Sequence, residues 1–401
     1  MIRELYQIRK KEICLNITNG VVDSVRKKNV TESGCRVYHN GCIGIAGVLG
    51  EPTEETWRKA VNALEAQVPY PYEPTGAQVR TRAIGEMPDE AQLITTAERL
   101  LETLKKEFPE YVLSNKICAV EETVLLKNDL GLLLEDTQRY VFTAILIKEE
   151  ASPNVFDSFI PWSGRTLDED AILRTSREIL SAHRMPVELP AERTPVLMNM
   201  SVFIEALGDY LNAQKLKKGA SLLSGKAGMK VFSEQLGFSA CLDEESYTFF
   251  FDAEGTVLPD DRLPLIQNGV VLRGIADKRY AAECGVDSTA CASGGYDDTP
   301  AFAVEENRLC HEGTGTIAQL LSGRDAILLV LAQGGDITAA GDYATPVQTA
   351  YLYRDGHLTG RLPEFHFRGN IFDLLGKDYI GCSTDTGLDN NRLVVLYGKT
   401  E

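Results

Sequence analysis

Over its first 50 residues the chain alternates apolar and polar positions and is interrupted twice by Asn-Gly, at 19–20 and at 40–41. Ile13, Leu15 and Ile17 share one face, and Val21, Val25, Cys35 and Val37 continue the pattern between the two turns. Asn-Gly between alternating runs is a strong hairpin signal, because both residues tolerate the positive φ that a two-residue turn demands. The segment is therefore committed to antiparallel strands. Cys42-Ile43-Gly44-Ile45-Ala46-Gly47 follows as a buried strand thinned by glycine.

The period then changes. Trp57, Val61 and Leu64 predict a helix from about Glu54 to Gln67, with Glu54 and Glu55 complementing its N-terminal dipole. Pro69, Pro71 and Pro74 force an extended linker. A capping box from Asp89 to Gln92 opens a helix that buries Leu93, Ala97, Leu100, Leu101 and Leu104 and stops at Phe108-Pro109. Period two returns from Tyr111 to about Glu149, around a turn at Asn128-Asp129-Leu130-Gly131. Thr166 to Glu169 reads as a second capping box, for a helix running to about Arg184. Pro186, Pro190 and Pro195 predict a domain boundary, giving an N-terminal α+β domain over 1–190 and a β-rich domain over 191–401. The latter opens with one helix over about 202–218, ended by Gly219 with Lys215, Lys217 and Lys218 in its last turn. Beyond it, frequent glycines fit strands with tight turns, and only Ile317–Gly323 and Phe372–Leu375 read as helical.

Composition narrows the function classes. With 58 acidic against 41 basic side chains, the net charge of −17 opposes nucleic-acid binding, which depends on Lys and Arg neutralising phosphates. No apolar run approaches the roughly 20 residues of a membrane span, and the first residues lack a secretory apolar core, so a cytoplasmic location is expected. The nine cysteines include no Cys-x-x-Cys pair and are expected to be reduced, mostly buried thiols. The five histidines include no pair at i, i+4 or i, i+5 spacing. His183 falls in a last helical turn, where a partly cationic ring would favour the dipole.

Phe203-Ile204-Glu205-Ala206-Leu207-Gly208-Asp209, then Gly219 through Gly228, then Leu265-Ile266-Gln267-Asn268-Gly269-Val270, together resemble the TldD/PmbA family. That family, long called modulators of DNA gyrase, is understood as peptide-processing metalloproteases. Its metal-binding branch reads F-H-E-A-x-G-H in the first segment, so the resemblance places Ile204 and Asp209 at degenerate ligand positions and leaves Glu205 as the surviving catalytic-type glutamate. In an H-E-x-x-x-H motif two neutral imidazoles hold zinc while the carboxylate acts as base on the metal-bound water. Isoleucine has no lone pair to offer. The branch's third ligand, a cysteine from a C-G-K-type segment, is also missing: Tyr379 to Asp385, with Cys382, resembles the strand before it. Phe251-Asp252-Ala253-Glu254-Gly255 resembles the family's structural F-D-x-E-G turn. Ser288-Thr289-Ala290-Cys291-Ala292-Ser293 resembles its S-T-G-N-A-R segment, which lies near the family's cleft, with Ala290 and Ser293 as departures.

The resemblance implies a two-domain α+β fold and a PmbA-like (TldE-like) member with no metal site and no cofactor of its own. It would serve as the non-catalytic partner of a homologous zinc-bearing, TldD-like subunit, acting on unfolded peptide, or pair with itself as a homodimer. Two alternatives stay open: an active peptidase or hydrolase with a non-standard site around Glu205 and Asp209, and a stand-alone homodimeric peptide-binding protein. The two carboxylates themselves read as a solvated or lysine-paired helical face, or else as oxygen ligands of a hard cation.

Overall fold

In the computed structural model, which describes residues 1–190, 193–199 and 201–401, both Asn-Gly pairs close hairpins. Strand β1 (Ile2–Thr18) returns as β2 (Val21–His39), and β2 returns as β3 (Cys42–Leu49). Asn19 and Gly20 have φ of 51° and 72°, and Asn40 and Gly41 have φ of 48° and 73°, the mirror-image turn that matches strand twist. After α1 (Glu54–Ala63), capped by Thr53, come β4 (Val68–Pro69), β5 (Gln78–Ile84), α2 (Glu90–Glu107), the long strands β6 (Tyr111–Asn128) and β7 (Leu132–Glu149), β8 (Ser158–Gly164) and α3 (Glu169–His183). The sheet order is β4-β3-β2-β1-β6-β7-β5, with β8 also on β7. Strand β5 runs parallel to the first half of β7, and β8 antiparallel to the second half.

Two strands escape the periodicity reading. β5 carries no apolar stripe and is held instead by charge: Arg80 pairs with Asp261, and Arg82 with buried Asp136. β8 contains Pro161, which reads against a strand, but it sits at a sheet edge where a missing N–H is tolerated. The second capping box also shifts. Asp168, not Thr166, caps α3, its carboxylate accepting from the Ala171 N–H at 2.9 Å.

The rest of the chain begins with β9 (Val196–Asn199), α4 (Ser201–Tyr210) and α5 (Ala213–Lys218); residue 191, the expected start of the second domain, lies outside the described residues. A small sheet ordered β12-β11-β10-β15 joins β10 (Phe238–Cys241), β11 (Arg262–Gln267), β12 (Val270–Val271) and β15 (Leu309–His311). Between them lie α6 (Lys278–Cys284) and the ribbon of β13 (Ala292–Ser293) and β14 (Ala301–Phe302). After α7 (Ile317–Leu321) come β16 (Ala326–Ala332), β17 (Asp336–Ile337), β18 (Asp342–Arg354), β19 (His357–Arg361), β20 (Phe365–Asn370), α8 (Ile371–Leu374), β21 (Tyr379–Cys382), β22 (Leu393–Leu396) and β23 (Lys399–Thr400). These strands and β9 form a second large sheet, ordered β21-β22-β9-β16-β18-β20-β23, with β17 and β19 also on β18.

The centre of that sheet is buried on both faces. Val196, Met198, Ile327, Val394 and Leu396 pack into a core shared with α4. Leu197, Leu328, Tyr351 and Val395 pack the other way, against Leu100 and Leu104 of α2 and Ile179 of α3. Burial on both sides explains why these strands are continuous apolar runs without alternation. Among the described residues no helix is long and apolar enough to cross a membrane.

Four cysteines depart from the reduced-thiol expectation: Cys14 bonds to Cys118 and Cys241 to Cys310. The partners lie 104 and 69 residues apart, so only strand register brings them together. Cys35, Cys42, Cys284, Cys291 and Cys382 are free.

His183 also departs from expectation. Its Nε2 accepts from Arg361 at 2.9 Å, which leaves the proton on Nδ1, 3.0 Å from the Tyr351 hydroxyl, and Tyr351 continues to Ser158 at 2.9 Å. Burial, reinforced by the Arg361 charge, pushes its pKa down to about 4, so the ring is neutral rather than partly cationic. The unfolded chain takes up this proton near the ordinary histidine value of about 6.5 and the folded chain does not. Stability from this group is therefore complete above that value and is lost as pH falls towards 4, by up to about 3 kcal/mol. Urea unfolding of the wild type between pH 7 and 4 is expected to show this decline, and His183→Gln to show a shallower one. Equal slopes for both proteins would contradict the assignment.

Candidate functional site

Helix α4 carries the motif and is built to bury one side. Phe203, Ile204, Leu207 and, just beyond the helix, Leu211 are buried in the core beside the second sheet. Gly208 lets the helix approach closely, since a Cβ there would stand 2.4 Å from Val304 Cγ1. Ile204 is only 4 % exposed, and Glu205 beside it is exposed.

The single helix expected over 202–218 is two. The chain breaks at Leu211-Asn212, and the Asn212 side chain caps α5 by accepting from the N–H groups of Gln214 and Lys215 at 2.9 and 3.1 Å. On an unbroken helix, residues 209 and 215 would lie about 120° apart around the axis. The break brings them together, and Lys215 forms an ion pair with the half-exposed Asp209. The two carboxylates singled out from the sequence are thus an exposed side chain and a lysine-paired one.

The α4 segment does not fit a zinc ion. Ile204 offers no donor atom and is committed to the core. Cys382 stands on β21, fully buried, with burial pushing its thiol up to about 12, and the loop over 383–392 that leads to β22 carries no cysteine or histidine. His311 is buried against Tyr379, and burial drives it down to about 3. Among the described residues, ligand-type atoms of three side chains converge within 4.8 Å at Cys241, Cys310 and Glu312, none of them on α4. Two of these already share a disulfide.

A cleft of about 920 Å³ opens beside α4, where the first sheet faces the small one. Tyr140 and Phe142 of β7 form one wall, and Ile204, Leu309 and Cys310 contribute to the other. Two of its acids are paired, Asp243 with Arg262 and Glu245 with Arg392. Arg262 holds Glu312 Oε2 at 2.6 Å and also binds Asp243. Arg165 stacks over Tyr247, 3.9 Å from the ring centre, and donates to Gln138 Oε1 and to the Glu244 carbonyl, both at 2.8 Å. Aromatic walls beside a polar floor of mixed charge suit an extended chain.

The hydroxyls at 288–293 are occupied elsewhere and do not line this cleft. Thr289 Oγ1 accepts from the Ala276 N–H at 2.9 Å, and Ser288 Oγ donates to the Ala276 carbonyl at 3.3 Å. Ala290, standing where the resemblance calls for glycine, has a φ of 57°. The Phe251–Gly255 turn is structural, with Asp252 accepting from the N–H groups of Glu254, Thr256 and Ala292 at 2.8 to 3.0 Å.

Sequence reasoning missed Arg165, Arg262, Cys241 and Cys310. The signal for the last two is the spacing of two in Ser239/Cys241 and Cys310/Glu312, which puts each pair on one strand face.

The chain matches the model of the PmbA/TldA metallopeptidase C-terminal domain over residues 192–395. It is 22% identical over 395 residues to a metalloprotease of Archaeoglobus fulgidus, covering 94% of this chain and 91% of that protein. It is 27% identical to an uncharacterized protein of Methanocaldococcus jannaschii and 24% identical to a metalloprotease of Methanothermobacter thermautotrophicus. Those two matches span 41% and 55% of this chain and only 38% and 48% of the relatives' own lengths. The fold is similar to the crystal structure of TldE from Thermococcus kodakarensis, with a TM-score of 0.76 at 16% identity over 100% of this chain and 96% of that one. A putative modulator of a DNA gyrase from Thermotoga maritima gives a TM-score of 0.76 at 19% identity, over 100% and 95% of the two chains.

The burial of α4 predicts opposite outcomes at neighbouring positions. Ile204→Ala is expected to cost about 2–4 kcal/mol by opening a cavity, and Glu205→Ala less than about 0.5 kcal/mol. Chemical denaturation of both variants checks this, and a Glu205 variant as unstable as the Ile204 one would refute the packing described.

Proposed function

The chain belongs to the TldD/PmbA family, and we propose that within it this protein is a subunit without a zinc centre of its own, which contributes a peptide-receiving wall to a complex with a homologous zinc-bearing subunit. The observation that carries this reading is the state of α4. Its first ligand position is a core isoleucine, and its second is an aspartate neutralised by Lys215. The surviving Glu205 is exposed, with no imidazole from α4 beside it. A base without a metal-bound water has nothing to activate.

The cleft supports the binding half of the proposal. It offers Tyr140 and Phe142 for apolar contact, and two of its acids, Asp243 and Glu245, already pair with Arg262 and Arg392, which lowers the charge that an unfolded segment lying there would cover. The net charge of −17 makes nucleic acid a poor occupant. A partner subunit follows from a fold retained without its chemistry, and a stable interface of this kind would bury on the order of 2,000 Å².

Purified protein is expected to carry no stoichiometric zinc. Near one zinc per chain, lost on Asp209→Ala or Glu205→Ala, would refute the reading of α4. Restoring Ile204→His together with Asp209→His is expected not to generate chelator-sensitive peptide cleavage, because a third ligand and its supporting contacts are still missing.

Light scattering, alone and after co-expression with a homologue bearing an intact H-E-x-x-x-H, is expected to give a dimer. A stable monomer in both cases would remove the partner-subunit role. In an active pair, Glu205→Gln in this chain should leave peptide cleavage unchanged. Loss of cleavage with that variant would instead assign catalysis to Glu205.

A further inference from the structure

The two disulfides occupy opposite environments. Cys14 and Cys118 face each other directly in the β1–β6 ladder, 4.2 Å apart at Cα, and are 2 % and 0 % exposed. Paired residues continue on both sides of them, from Glu4 to Ile17 on β1. Cys241 and Cys310 are instead diagonal, 6.1 Å apart at Cα, because Cys310 lies opposite Ser239. The β10–β15 ladder that carries them spans only Phe238 to Ala240, so Cys241 sits past its end. Both sulfur-bearing residues line the cleft, Cys241 itself buried and Cys310 half-buried.

We propose that Cys241–Cys310 is a thiol–disulfide exchange site that low-molecular-weight thiols reach through the cleft, whereas Cys14–Cys118 is structural. This goes beyond the subunit role proposed above and does not depend on it. Exchange requires a thiolate to reach one sulfur of the bond, and access decides which disulfides react. The half-buried Cys310 is the sulfur open to attack. The small thiolate bonds to Cys310 Sγ, the S–S bond breaks, and Cys241 leaves as a thiolate that takes a proton from water. A second small thiolate attacks the mixed disulfide at its own sulfur, releasing the small-molecule disulfide and a Cys310 thiolate, which is protonated in turn. In sum, one protein disulfide and two thiols give two protein thiols and one small disulfide, with the electrons supplied by the thiols.

Arg262 favours the leaving step. It is the cross-strand partner of Cys241 on β11, and a neighbouring cation stabilises a thiolate. Its guanidinium is shared with Asp243 and Glu312, which offsets part of their negative charge at the approach to the sulfurs. Once the bond opens, β15 stays tied to β10 by the short ladder and by the 2.6 Å hydrogen bond from Ser239 to Glu312. The same strands wall the cleft beside Ile204, so its redox state would set how firmly that wall is fastened.

The test uses the folded wild-type chain in glutathione buffers of graded reduced-to-oxidised ratio, quenched with acid, alkylated and mapped by peptide mass spectrometry. Cys241 and Cys310 are expected to convert together and reversibly, at least about tenfold faster than Cys14 and Cys118, which should stay protected until denaturant is added. The proposal is overturned if Cys241–Cys310 resists reduced glutathione in the folded protein, reacts no faster than Cys14–Cys118, or fails to form in oxidised glutathione.

Discussion

One row of side chains holds the two large sheets together. Val395, Leu197, Leu328 and Tyr351 lie side by side across β22, β9, β16 and β18, all on the face that meets α2 and α3. Burying each is worth about 1.5–3 kcal/mol, and the row ends in a hydroxyl that is also satisfied. Tyr351 bonds to Ser158 of β8 and to His183 of α3, so the apolar contact and the polar one meet at the same joint. Because the sheet's other face must be covered too, α4 is packed against it. The two-sided burial that joins the halves of the molecule thus also fixes the helix on which the family's chemistry would stand.

That constraint accounts for the state of the motif. A position facing the core of a doubly covered sheet gains from an isoleucine unless a metal demands otherwise. The neighbouring positions follow the same logic in reverse. Glu205 stays in solvent, and Asp209 finds a lysine because the chain bends at Asn212. What is left is a cleft lined by Tyr140 and Phe142 beside a helix segment that does not fit a zinc ion.

Outside the row the halves meet in a second apolar cluster, where Tyr6, Val124, Leu126, Leu132 and Leu134 pack on Phe250, Phe251 and Ala253, and through polar contacts. Arg36, fully buried, donates to the Ala253 carbonyl at 2.6 Å, Arg82 to the carbonyls of Leu242 and Thr248 at 2.7 and 2.9 Å, and Tyr70 to Glu254 Oε1 at 2.6 Å. Each runs from the first sheet, or for Tyr70 from the segment just after β4, to a turn of the later chain. A buried guanidinium is costly unless paired, so such contacts specify how the parts meet more than they stabilise them.

Much of this was legible in the residues themselves. The Asn-Gly turns dictated the hairpins because only a few residues tolerate that backbone, the apolar spacing of α1 and α2 located them because one face had to be buried, and a capping signal marked the start of α3. Ile204 excluded a zinc ligand by its chemistry alone. The tertiary structure decided the rest. Strand β5 is specified by arginines whose partners lie about 54 and 181 residues away, and no local pattern reports them. The break between α4 and α5, the neutral state of His183 and the pairing of four cysteines depend likewise on groups brought together from distant segments. Local sequence fixes backbone preference and the side to be buried; which charges meet, which thiols pair and which histidine loses its proton are set by distances that exist only once the sheets have closed on one another.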